Sequence, residues 1–74
     1  MKIKVFLTYP PTLVKEPILH DLVRLYPVKT NIRGASVTDL IALIALQIEG
    51  EEKDVEAAVA HLSSLGVQVE RLAE

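Results

Sequence analysis

The side chains of this 74-residue chain limit its chemistry at once, because there is no cysteine and there are only two histidines, His20 and His61. Without a thiol there is no disulfide, no thiolate zinc or iron-sulfur ligation and no cysteine nucleophile. Two histidines alone do not build a metal site, and their places on two helix faces suit solvated side chains. The acidic residues Glu51, Glu52, Asp54 and Glu56 lack the loop spacing and the glycine of a calcium-binding EF-hand. They lie at the start of a helix, where carboxylates oppose the positive end of its dipole. Ser36, Ser63 and Ser64 stand outside any nucleophile-elbow context, and neither histidine has an acid placed to orient it as a base. No catalytic residue, metal or cofactor is expected, which leaves recognition by amides, an arginine and apolar side chains.

Composition narrows the partners. A net charge of −2 and 4% aromatic residues provide neither the basic field nor the stacking platform that nucleic-acid binding uses, so nucleic acid is excluded as a partner. The longest apolar run, Leu40 to Leu46, is seven residues, far below the roughly 20 that cross a bilayer as a helix, so no direct membrane insertion is expected. Val5-Phe6-Leu7 is too short for the apolar segment of a signal peptide, which makes the cytoplasm the expected location. Half of the residues are hydrophobic and 24% charged, the balance of a folded protein. A chain this short buries only about 60% of its unfolded surface, so residues 1–74 are expected to form one domain.

The elements that position the side chains follow from periodicity. Ile3, Val5, Leu7 and Tyr9 alternate with Lys2, Lys4, Phe6 and Thr8, which predicts a strand with one buried face, ended by Pro10 and Pro11. A first helix is predicted from about Glu16 to Leu25, with Pro17 as its first residue and Ile18, Leu19, Leu22, Val23 and Tyr26 on one stripe. After Pro27, Val28, Thr30 and Ile32 alternate with Lys29, Asn31 and Arg33 in a half-polar edge strand that reaches Gly34 or a little beyond. Leu40 to Glu49, apolar at nearly every position, reads as a central strand. A second helix begins near Glu51 or Glu52 and carries Val55, Ala58, Val59 and Leu62 inward; Gly66 is its left-handed cap, and Val67 to Leu72 forms a short fourth strand.

Strand, helix, strand, strand, helix, strand is the split βαβ order of an α+β, ferredoxin-like fold. It has a four-stranded antiparallel sheet, and right-handed crossovers give the order 4-1-3-2 with both helices on one face. For Val28, Thr30 and Ile32 to face the helices alongside Ile44, Leu46 and Ile48, the hairpin loop must hold an odd number of residues or a bulge must shift the register. The loop Val37-Thr38-Asp39 meets the first condition, and a bulge at Gly34 meets the second. The helix-free face then holds Lys4, Phe6, Thr8, Asn31, Arg33, Ile41, Leu43, Ala45, Gln47, Gln68 and Glu70. Phe6, Ile41 and Leu43 on neighbouring strands form an apolar patch of the kind that marks a partner or ligand surface.

The stretch Thr30-Asn31-Ile32-Arg33 after a proline-started helix, then a hairpin, then Ala45-Leu46-Gln47-Ile48-Glu49-Gly50 and a second helix, resembles the NIL domain over nearly the whole chain. That family is a ferredoxin-like module at the C-terminus of methionine-importer ATPases, where it pairs with a second copy and binds methionine between the two. The resemblance implies a regulatory module that dimerises and senses L-methionine or a related sulfur-containing amino acid, with no catalytic activity. There is no glycine-rich phosphate loop here, so ATPase activity is not implied. On that basis Asn31 and Arg33 offer donors to the α-carboxylate, Gln47 or backbone carbonyls receive the ammonium, and Phe6, Ile41 and Leu43 pack the thioether. Arg33 replaces the leucine of the Asn-Ile-Leu triplet and favours either a plain protein-protein interface or a ligand with an extra anionic group. Micromolar affinity, about −8.2 kcal/mol, would require roughly −0.9 kcal/mol from each of methionine's nine or so heavy atoms, near the best that small ligands achieve. An open face does not enclose a ligand that well, so a second subunit is the expected lid. The competing expectation is an interaction module that joins subunits through the same face with no metabolite.

Overall fold

The computed structural model describes residues 1–72, and the last two positions of the expected domain lie outside them. Four strands, β1 (Lys2–Tyr9), β2 (Lys29–Val37), β3 (Ala42–Glu49) and β4 (Gln68–Leu72), form one antiparallel sheet in the order β2-β3-β1-β4. This is the expected order read from the other edge. Two helices, α1 (Ile18–Leu25) and α2 (Glu52–Ser64), complete the ferredoxin-like fold.

Alternation decides which face is covered. Val5, Leu7 and Tyr9 of β1 and Ala42, Ile44, Leu46 and Ile48 of β3 are buried with Ile18 and Leu22 of α1 and Val55, Ala58 and Leu62 of α2 in one core. The first helix starts two residues later than its periodicity suggests. Pro17 is its N-cap, and a single turn of 3-10 helix, Pro11–Leu13, fills part of the gap after β1. The α1 stripe is narrower than expected: Ile18 and Leu22 are buried while Val23 is exposed at the rim.

Geometry favours glycine at two positions. Gly66 has φ +100° and ends α2; its N–H donates to Ser63 O at 3.1 Å and the Val67 N–H donates to Leu62 O at 3.2 Å, a Schellman pattern sealed by buried Leu62 and Val67. Gly50 lies so close to the segment that leads into β2 that a Cβ there would stand 3.2 Å from Val28 Cγ1 and 3.3 Å from Pro27 O. Its N–H donates to Met1 O at 2.9 Å and its carbonyl accepts from the Met1 ammonium at 2.7 Å, which adds a rung to the central ladder.

The hairpin solves its register problem by the bulge. Four residues, Thr38 to Ile41, close the turn: the Thr38 N–H donates to Ile41 O at 2.8 Å, and Thr38 Oγ1 accepts from the Leu40 and Ile41 N–H groups, both at 3.2 Å. This even loop pairs Val37 with Ala42 and Ala35 with Ile44. The shift between Ile32 and Gly34 then restores Ile32 opposite Leu46 and Thr30 opposite Ile48. The expected three-residue loop is therefore corrected. Gly34 and Ser36 fall on the helix-free face, Ala35 and Val37 on the other, and Ile41 belongs to the turn. Side-chain chemistry favours this loop because the Thr38 hydroxyl satisfies two backbone donors in a turn.

Tyr9 ends β1 with its ring in the core. Its ring packs as a residue at a strand end should, but its hydroxyl is buried without a hydrogen-bond partner, and burial pushes its pKa above the ordinary 10.0. A buried, unpaired hydroxyl destabilises the folded state. Tyr9→Phe should therefore raise stability by about 1 kcal/mol in urea denaturation; a loss of that size would show that the hydroxyl is satisfied. The second tyrosine, Tyr26, packs against His61 with ring centroids 5.5 Å apart, so His61 is half-buried between the helices and not freely solvated as its helix position suggests.

Candidate functional site

The helix-free face is laid out in rows by the register. Lys2 and Lys29 flank Glu49 in the first row; Lys4 and Asn31 flank Gln47 in the second. Phe6 and Gly34 flank Ala45 in the third, and Thr8 and Ser36 flank Leu43 in the fourth. Side chains directly opposite across strands sit about 5 Å apart at Cβ, so each row is a contiguous surface. Arg33 is the extra residue of the bulge and falls between the second and third rows.

Three shallow depressions mark this face. The largest, about 480 Å³, is lined by Lys2, Lys29, Thr30, Asn31, Arg33, Gln47 and Glu49. A second, about 200 Å³, joins Arg33 to Lys4, Ala45 and Leu72. The third, about 310 Å³, lies over Phe6 and Thr8 of β1 and Gln68 and Glu70 of β4. The structure thus brings Asn31, Arg33 and Gln47 together, while Phe6 lies in a neighbouring hollow beyond Ala45. Leu43 is one row further along. Ile41, in the turn, lies past the last β1–β3 pair, Tyr9 with Ala42, and does not join the others. Phe6 and Leu43 are half-buried by their neighbours, so the apolar part of this face is smaller than the sequence suggests.

Three neighbours of Asn31 were not singled out by motif: Lys2, Lys29 and Glu49. The signal for them was alternation, because each shares strand parity with a residue already assigned to this face. The bulge explains why Arg33 reaches two hollows, since an extra residue in one strand re-aims its side chain. Gly34 beside it needs no special backbone angle, and a Cβ would meet nothing within 4 Å.

The most exposed apolar side chains lie elsewhere. Leu40 is 73% exposed, Val37 59% and Ile32 54% along the outer edge strand and its turn, and Leu25 at the end of α1 is 60% exposed. The remaining charge chemistry is on the helix side. The Arg71 guanidinium donates to Glu56 Oε2 at 2.6 Å and holds that carboxyl below the usual carboxylate range. Because the folded-state pKa is depressed, whatever this pair contributes to stability is present at neutral pH and lost as the pH falls through that pKa. Among the described residues no three His, Asp or Glu side chains converge as a metal site would need, and no helix is long and apolar enough to cross a membrane.

Comparison with known proteins agrees with this architecture. The family model described as the NIL domain matches residues 4–71. A search of curated protein sequences finds no match. The chain is similar to the crystal structure of the C-terminal domain of an ABC transporter ATP-binding protein from Enterococcus faecalis, with a TM-score of 0.84 and 25% sequence identity over 97% of this chain and 84% of that one. Helix-strand order, sheet topology and a family match over most of the length lead to one assignment: the chain belongs to the NIL domain family.

Proposed function

We propose that this chain is a non-catalytic regulatory module that works as a dimer in the cytoplasm and binds L-methionine or a related sulfur-containing amino acid on the helix-free face of its sheet. The observation that carries this reading is the convergence of Asn31, Arg33 and Gln47 on one hollow beside the Phe6–Ala45 row. The amides of Asn31 and Gln47 both donate and accept, which suits a ligand with a carboxylate and an ammonium on one carbon. Phe6 and Leu43 supply apolar contact for the rest of such a ligand. The hollow is shallow, so a second copy is needed to enclose a small ligand. The Enterococcus faecalis domain is part of an ABC transporter ATP-binding protein, which supports an ATPase of that class as the partner that reads the signal.

A second reading, assembly without a metabolite, has its own supporting observation. The nine-residue edge strand β2 leaves Ile32 and Val37 uncovered and one side of its backbone unpaired in the sheet, a surface suited to pairing with another chain. Thermal unfolding at several protein concentrations, with and without L-methionine, separates the two. Sensing predicts a midpoint that rises with ligand, whereas assembly alone predicts a rise with protein concentration and no response to ligand.

A further inference from the structure

We infer that the ligand of the helix-free face is an amino acid carrying a second anionic group, so that it is net negative rather than zwitterionic. The inference rests on the proposal that this face is an amino-acid site, and it concerns which amino acid fits.

Four of the chain's eight lysines and arginines are gathered at one end of this face: Lys2, Lys4, Lys29 and Arg33. The chain as a whole carries −2, so this concentration runs against its overall sign. Among the described residues the ion pairs are Lys53 with Glu51 and Arg71 with Glu56, both away from this face, and none of the four cations takes part in one. Glu49 is the one carboxylate in the largest hollow, set in the row between Lys2 and Lys29.

The complement of these groups describes a ligand. Glu49 and the amide oxygens of Asn31 and Gln47 suit one ammonium. A single α-carboxylate engages one part of the cationic set and leaves the rest without a counter-charge. The cations fall into two places: Lys2 and Lys29 in the first row, and Lys4 with Arg33 beside the second and third, where Arg33 lines both hollows. Two anionic groups a few bonds apart on one small molecule answer both places. Arg33 adds directional preference, since its planar fork of donors matches a carboxylate, sulfonate or phosphate better than an ammonium point charge does. A polyanion such as nucleic acid fits less well, because Glu49, set between Lys2 and Lys29, would oppose a phosphate backbone, and among the described residues Phe6 is the only aromatic ring on this face.

Calorimetric titration of the intact chain at low ionic strength tests this with three probes: L-methionine, L-homocysteate, which carries a sulfonate at similar length, and inorganic phosphate. One charge-assisted hydrogen bond is worth about tenfold in affinity, so L-homocysteate should bind about tenfold or more tighter than L-methionine. That advantage should shrink in high salt, because exposed charges are screened. Arg33→Gln, at an exposed position, should remove most of it without unfolding the protein. L-methionine binding as tightly as L-homocysteate, or an advantage unchanged in Arg33→Gln, would overturn the inference and leave the amino-acid site standing. Phosphate matching L-homocysteate would overturn it too, by reducing the hollow to a general anion patch. No heat from any probe would overturn both the inference and the sensor function beneath it.

Discussion

Leu46→Ala is expected to cost about 3 kcal/mol and to leave much of the protein unfolded at physiological temperature. Leu46 is 1% exposed on the inner face of β3, with Val5 opposite it on one side and Ile32 on the other. Truncating a buried leucine removes its transfer free energy and leaves a cavity, which together cost roughly 2 to 5 kcal/mol. At about 0.05 to 0.15 kcal/mol per residue, a domain of this length holds only several kcal/mol in total. The centre of the sheet offers little room to collapse, because β1 and β4 hold one side and α1 and α2 cover the layer above. Urea denaturation followed by circular dichroism checks this. A cost under 1 kcal/mol would show that the core lies elsewhere than between β3 and the helices.

Asn31→Ala is expected to weaken amino-acid binding by about tenfold to a hundredfold while leaving the unfolding midpoint nearly unchanged. The side chain is exposed on the edge strand, opposite Gln47, and makes no hydrogen bond to another described residue, so the fold does not depend on it. A hydrogen bond to a charged ligand group contributes about 1.5 to 3 kcal/mol, which sets the size of the loss. Calorimetry with the better of the two amino acids measures it. Equal affinity in the variant would remove Asn31 from the site, and a large drop in stability would mean that its role is structural.

The strands were easy to read where one face is buried. Alternation in Lys2–Tyr9 and the near-continuous apolar run ending at Glu49 fixed the two central strands, and proline and glycine marked the breaks between elements. Gly66 could be recognised as a cap because a helix stripe ended just before it. The hairpin was harder, since an odd loop and a bulge meet the same parity condition and only the Thr38 hydroxyl, by satisfying two turn amides, distinguishes them physically. That choice moved Ile41 off the sheet and placed Gly34 and Ser36 on the helix-free face. The candidate site was legible in part. Asn31, Arg33 and Gln47 lie on the helix-free face under either register, so they converge, whereas Phe6 and Leu43 sit in rows further along β1 and β3, at Ala45 and beyond. Tyr9 could not be resolved from sequence, because whether a hydroxyl at a strand end meets water depends on how the following turn covers it.

Backbone amide shift mapping on isotope-labelled protein, titrated with L-methionine and with L-homocysteate, tests the helix-free face most directly as the place where a ligand sits. Changes concentrated on Asn31, Arg33, Gln47 and their row partners in β1, and stronger with the anionic probe, are the result expected here. Changes confined to the helices, or spectra that stay still with both compounds, would contradict it.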